Sequence, residues 1–295
     1  MPDIFLEFSF ADSINQFVSW LVREYGDLFH QLTAILLTTL LVPLERALLV
    51  IPPVLLLLIV GVLCYHGTRR KSVTLLMVAG LYLIGCLGLW DKLMQTLALM
   101  VVATVLTMLV GVPLGIMMSR SRRLRWLLVP VLDVMQTLPT FVYLIPVLML
   151  LGLGKVPAIF ATVIYALPPL VRLTDLGIRQ VDGDLQEAAR SFGTTRWQLL
   201  FGVQLPLARP SIMAGINQSI MMALAMVVIA SMIGSRGLGE DVLAGINNMD
   251  MGKGMQSGLA IVILAIVIDR ISQAYGQDSR LKQALRQKRK AGVSA

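Results

Sequence analysis

Residues 184–206, Asp184-Leu-Gln-Glu187-Ala188-Ala189-Arg190-Ser191-Phe192-Gly193-Thr-Thr195-Arg-Trp-Gln198-Leu-Leu-Phe-Gly-Val203-Gln-Leu205-Pro206, form a polar island between two long apolar runs, Val156 to Ile178 and Leu207 to Ile233. Asp184 stands as a helix N-cap with Glu187 three positions on, and Leu185 to Phe192 carry their apolar residues at helical spacing. Gly193 stops that turn. Thr195 with Gln198 three positions later opens a second helix, and Pro206 is expected to break it before the next apolar run. A short helix hinged at a glycine between two membrane segments is a part that docks and transmits movement.

The rest of the chain supplies the membrane. Of 295 residues 57% are hydrophobic and 14% charged, with a mean hydropathy of +0.79, too apolar for a soluble domain. A span needs about 20 mostly apolar residues, and about seven runs qualify. They are Val50 to Tyr65, Val73 to Trp90, Leu93 to Met118, Leu127 to Leu151, Val156 to Ile178, Leu207 to Ile233 and Gly258 to Ala274. None alternates with the period of a barrel strand, so the expected fold is all-α, a polytopic transmembrane bundle.

Ahead of these runs, Ile14, Phe17, Val18, Leu21, Tyr25, Leu28 and Leu32 recur at helical spacing and predict an amphipathic helix on the outer surface. Ala34 to Val50 is read as interfacial because Pro43, Glu45 and Arg46 interrupt it; an eighth crossing is the alternative. The acidic start (Asp3, Glu7, Asp12) argues against a cleavable signal peptide. The expected organisation is an extracytoplasmic or interfacial segment (1–48), peripheral transmembrane helices (49–92), a core (93–275) containing the elbow at 182–206, and a basic cytoplasmic tail (276–295).

The net charge of +8 serves orientation. Placing 67–72, 119–126, 172–209 and the stretch from Arg270 onward on one side gathers 19 of the 25 Lys and Arg there, leaving Arg23, Arg46, Lys92, Lys155, Arg236 and Lys253 opposite. The positive-inside rule then puts the N-terminus outside and the C-terminus in the cytoplasm. Arg280 to Lys290 is a solvated or lipid-facing tail, and nucleic acid is not an expected partner.

The chain carries no catalytic constellation. Cys64 and Cys86 read as packed small hydrophobes, and His30 and His66 lack companions at metal-ligand spacing. Gly152-Leu153-Gly154-Lys155 lacks the spacing of a phosphate loop. Glu240 and Asp241 fall in a Gly-rich connection and are expected to be solvated.

The fourth run holds Pro130, Pro139 and Pro146 with Asp133, Gln136, Thr137, Thr140 and Tyr143 between them. Prolines free carbonyls that lipid cannot satisfy, so a broken, polar helix lining a path is expected, against the alternative of kinked close packing. Met221, Met222, Met226 and Met232 suit an adaptable gate or ordinary packing equally. Gly111-x-x-x-Gly115 marks a close helix contact, and Asp269 and Arg270 an edge where snorkelling is cheap.

Glu187-Ala188-Ala189-x3-Gly193-x9-Val203-x-Leu205-Pro206 resembles the EAA signature of permease subunits of bacterial ABC importers, with Val203 where Ile is usual. Asp133-Val-Met-Gln136-Thr-Leu-Pro139-Thr-Phe141-Val-Tyr143-Leu-Ile-Pro146, Ala166-Leu-Pro168-Pro169, Val227-Val-Ile-Ala-Ser231-Met-Ile and Asp250-Met-Gly252 are similar to the proline/glycine betaine and choline branch. The resemblance covers about Trp90 to Tyr275. It implies a type I importer permease in the bacterial inner membrane that pairs as a homodimer, receives solute from an extracytoplasmic binding protein and couples to two cytoplasmic ATPase subunits. ATP and Mg would sit in those subunits, with no cofactor on this chain and no enzyme activity of its own. It also implies ATPase coupling by Glu187, Ala188, Ala189, Arg190, Ser191, Phe192, Gly193, Leu205 and Pro206, and a path along Gln136, Thr137, Pro139, Thr140, Phe141, Tyr143, Met222 and Met226. The implied cargo is a quaternary ammonium osmoprotectant. The alternatives are an importer of another small solute such as an amino acid, or an ion-coupled secondary transporter, for which Asp133, Asp175 and Asp269 are the candidate acids.

Overall fold

The computed structural model describes residues 11–276. Asp3, Glu7 and the basic tail beyond residue 276 lie outside them. The described residues are helical throughout: α1 (Ala11–Leu36), α2 (Val42–Val50), α3 (Pro53–Thr68), α4 (Lys71–Cys86), α5 (Trp90–Arg120), α6 (Arg122–Thr137), α7 (Thr140–Leu151), α8 (Lys155–Arg179), α9 (Gly183–Ser191), α10 (Arg196–Leu199), α11 (Leu205–Ser231), α12 (Leu238–Asn247) and α13 (Met251–Gly276).

At the centre α8 packs between α5 and α11, and glycines set the spacing. A methyl on Gly115 of α5 would come within 2.6 Å of Thr174 Cβ, one on Gly177 of α8 within 2.6 Å of Ser211 Cβ, and one on Gly215 of α11 within 3.2 Å of the Leu170 backbone. The small-residue contact expected at Gly111 and Gly115 is therefore the α5–α8 interface, with Leu170 over Gly111. The paired helices α3 and α4 lie against α13, where Gly80 meets Ile263 and Gly67 meets Ala274.

The count of crossings changes. Five helical stretches are long and apolar enough to cross, six if the bent pair α6–α7 is one span. The runs at Val50 to Tyr65 and Val73 to Trp90 become helices of 16 residues each, about 24 Å long at 1.5 Å per residue, short of the roughly 30 Å hydrocarbon layer. Conversely Asp12–Val50 is helical for 39 residues and qualifies. The charges held against a crossing are partly answered there: Glu45 accepts from Lys155 Nζ at 2.7 and 2.8 Å, and Leu41 is fully buried beside Ala98, Val147 and Ile159.

Two expected breaks are absorbed. π turns at Leu37–Leu41 and Leu200–Gln204 each end one residue before a proline pair, Val42-Pro43 and Leu205-Pro206. The wider turn moves the carbonyl that the pyrrolidine ring would strike, so the helix continues. Pro206 therefore does not interrupt: Arg196–Ser231 runs as one long stretch. The proline that does break a helix is Pro139. Leu138 is extended (ψ 135°), as a residue before proline prefers, and α6 and α7 meet at 102°.

Asp241 corrects another expectation. It lies on α12, a helix that the Gly-rich sequence concealed, and is buried between Lys92 Nζ (2.5 Å) and Lys253 Nζ (3.3 Å); Glu240 alone is exposed. The Leu238 N–H donates to Thr96 Oγ1 at 2.9 Å, tying α12 to α5. These contacts define the far end of the bundle, with Gly154 N–H on the Ile233 carbonyl (2.9 Å). The C-terminal ends of α3, α5, α8 and α13 and the start of α11 share the other end, with the elbow. Among the described residues, the cation-rich segments 67–72, 119–126 and 172–209 lie at that elbow end, and Lys92, Lys155 and Lys253 at the far end.

Candidate functional site: the elbow and the broken span

α9 is capped by Asp182, not Asp184: the Asp182 carboxylate accepts from the Asp184 N–H at 2.9 Å. Gly193 terminates the turn at φ +79°, a conformation that costs an L side chain about 1–2 kcal/mol. The second cap forms as the spacing predicted. Gln198 N–H donates to Thr195 Oγ1 (3.4 Å) and Thr195 N–H to Gln198 Oε1 (2.8 Å).

Long-range bonds fix the elbow to the bundle. Gln186 donates to the Val181 carbonyl (2.9 Å) and accepts from Gln204 Nε2 (2.9 Å), joining α9 to the π turn at the root of α11. Arg120, the last residue of α5, donates to the Arg196 carbonyl at 3.1 Å and lies over the Trp197 ring at 5.2 Å. The elbow is thus tethered to α5, α8 and α11, the three helices of the core.

Its outer face is bare. Glu187, Ala188, Arg190, Ser191 and Gly193 are exposed, Ala189 is half-buried, and Phe192 is 90% exposed. Trp197 and Phe201, stacked at 5.9 Å, extend the exposed apolar surface. Neither was singled out from the sequence, though their i, i+4 spacing was the available signal. Leu205 is half-buried and Pro206 exposed at the root of α11, behind the elbow.

The residues expected along a path separate into two groups. Gln136, Thr137 and Pro139 are exposed at the bend, Thr140 is half-buried, and Phe141 is exposed on the first turn of α7. Tyr143 is buried with its hydroxyl unpartnered, and two residues of helix turn it well away from Phe141, so the two rings form no joint aromatic site. Met222 is half-buried. Met226 is fully buried with Ala98, Leu99 and Ile159, a core position within this subunit.

Two ion pairs join the broken span to α8, with signs reversed between them. Arg172 of α8 pairs with Asp133 of α6, and Arg125 of α6 with Asp175 of α8 at 3.4 Å; Arg179 also faces Asp175 at 3.6 Å. Asp175 is buried near the end of α8, and Asp269 accepts from Asn217 (3.0 Å) and Gln273 (2.8 Å).

A multi-helix membrane bundle that suspends a polar, solvent-facing elbow from its three central helices is built as the membrane domain of a larger machine. Residues 111–277 match the family described as "Binding-protein-dependent transport system inner membrane component", and the chain belongs to that family. It is 45% identical over 269 residues to the glycine betaine/proline betaine transport system permease protein ProW of Escherichia coli (strain K12), covering 90% of this chain and 75% of that one. To the glycine betaine transport system permease protein OpuAB of Bacillus subtilis (strain 168) it is 45% identical over 263 residues, 89% of this chain and 93% of the relative. The glycine betaine/carnitine transport permease protein GbuB of Listeria monocytogenes is 48% identical over 233 residues, covering 78% and 83%. Among solved structures, an inward-facing crystal form of the MetNI methionine ABC transporter aligns with a TM-score of 0.56 over 66% of this chain and 95% of that one, at 20% identity, a likeness of fold.

Proposed function

We propose that this chain is the permease subunit of an ATP-driven importer of quaternary ammonium solutes, glycine betaine first among them. The observation that carries the reading is the exposed elbow, whose acidic and apolar surface hangs from the helices that form the bundle's core. The cargo class rests on relatives at 45–48% identity, which are permeases for glycine betaine, proline betaine and carnitine.

In this reading two copies pair, a cytoplasmic ATPase subunit seats each elbow, and an extracytoplasmic binding protein delivers solute at the far end. ATP and Mg are held by the ATPase subunits, and this chain performs no chemistry. The Glu187 carboxylate makes a charge-assisted contact in the ATPase cleft while Ala188 and Ala189 allow close approach. Closure of the ATPase pair draws the two elbows together. Because α8 and α11 begin or end at the elbow, they follow, and the ion pairs of Asp133 and Asp175 carry α6 with them. The route between subunits then exchanges one opening for the other. Nucleotide drives this only through its different affinity for the two states.

The test is reconstitution in liposomes with the neighbouring ATPase and binding protein, against glycine betaine, proline betaine, carnitine, choline and an amino acid. Uptake of a betaine that requires ATP and the binding protein is expected. Uptake driven by an ion gradient without ATP would replace this reading with an ion-coupled one.

A further inference from the structure

The α3–α4 pair carries a groove of about 770 Å³ that opens outward from the bundle. Leu58, Gly61, Val62 and Val78 form its apolar length; at Gly61 a methyl would already come within 3.3 Å of Val78. It ends at His66 and Arg69, and the turn continues with Arg70 and Lys71. His66 is held at the rim by Tyr275 of α13, its Nδ1 3.3 Å from the phenol oxygen and the rings stacked at 6.0 Å.

From Leu57 to Arg69 the groove follows a helical rise of about 18 Å, close to the depth of one leaflet of a roughly 30 Å hydrocarbon core. Cations therefore sit where headgroups lie and apolar walls where a tail lies. Lipid tails are as apolar as leucine, so an acyl chain in the groove gains little by transfer, and selectivity must come from the headgroup. The charge at the turn is uncommitted. Among the described residues no carboxylate pairs with Arg69, Arg70 or Lys71, whereas Arg125, Arg172 and Arg179 at the same end are all paired.

We infer that this groove is a binding site for one anionic glycerophospholipid of the leaflet at the elbow end, with an acyl chain along Leu58, Gly61, Val62 and Val78 and its phosphate on Arg69. The basic turn favours the negative headgroup over zwitterionic ones. The chain's own segment after Gly276 is a poor occupant, because Arg280, Lys282 and Arg286 repeat the charge of the turn. The site is independent of which solute is carried.

Native mass spectrometry of the purified full chain, loaded with phosphatidylglycerol or phosphatidylcholine and then partly delipidated, tests the site. A single phosphatidylglycerol is expected to persist where phosphatidylcholine is lost. Arg69→Gln should weaken retention about fivefold, the equivalent of about 1 kcal/mol per cation near a membrane surface. Val62→Trp should weaken it with every charge in place. Arg122→Gln with Arg123→Gln, at the basic turn between α5 and α6, should leave it unchanged. Retention in the Arg69 and Val62 variants as strong as in the unaltered chain would overturn the site, and so would a loss in the Arg122/Arg123 pair as large as that in Arg69→Gln, which marks surface charge alone. A disulfide between two chains carrying Val62→Cys and lacking Cys64 and Cys86, formed in the membrane, would overturn it by placing a second copy in the groove.

Discussion

At the scale of single residues, the elbow depends on one residue that holds its shape and, in the proposed docking, on one that meets the ATPase subunit. Gly193 holds shape: at φ +79° any larger side chain is strained, and Gly193→Val should destabilise the elbow by about 1–2 kcal/mol. Hydrogen exchange is the measurement, with amides of Gly183–Ser191 exchanging faster and those of α8 unchanged. Glu187 is the contact residue of the proposed docking. It is exposed and serves no internal bond through its carboxylate among the described residues, so Glu187→Lys should insert and fold normally while ATP-driven uptake is lost. Normal coupled uptake by that variant would exclude docking through Glu187. Gly115 is the counterpart inside the bundle. Gly115→Val drives a branched side chain into Thr174 and should cost about 1–3 kcal/mol, seen as a lower melting temperature in detergent.

At the scale of elements, pairs of helices are joined by charges distant in sequence. Glu45 and Lys155 are largely buried and join α2 to the start of α8. Removing one partner strands the other, so Glu45→Ala should cost about 3 kcal/mol, and Glu45→Leu with Lys155→Leu should recover most of it. Thermal unfolding of the two variants distinguishes the pair from simple loss of volume. None of this was legible in sequence. Glu45 counted against a crossing because its neutralising partner lies 110 positions away. Asp241 looks solvated in sequence for the same reason, since Lys92 approaches it from another helix. By contrast the capping box at Thr195 and Gln198 is local, and the spacing alone specified it. The first cap moved to Asp182 because two carboxylates two residues apart both suit the role, and the chain's exit from α8 decides which is placed to accept.

At the scale of the whole molecule, one side of the bundle is marked by the elbow and most cations. That side is expected to be cytoplasmic, with α13 ending there. The N-terminus is expected outside, as the positive-inside count has it, so a cysteine at Ser13, in a chain lacking Cys64 and Cys86, should react with an impermeant maleimide added to intact cells. Labelling only after the membrane is opened would make Asp12–Val50 a full crossing and bring both ends of the described chain to the elbow side.

The sequence by itself determined that this is a helical membrane protein, that α5, α8, α11 and α13 are its long apolar helices, and that a capped, glycine-hinged elbow interrupts them. Each of these depends on neighbours within a few turns: run length, capping residues, proline and glycine. Only the tertiary structure decided that Met226 faces the core, that Tyr143 and Phe141 part company, that α6 and α7 meet at 102° and that α12 folds beneath α11. The physical reason is that a helix apolar on every side, as α11 nearly is, carries no periodic signal of which face meets protein and which meets lipid. That choice is made by small residues and charges on other helices, and it exists only once they have packed.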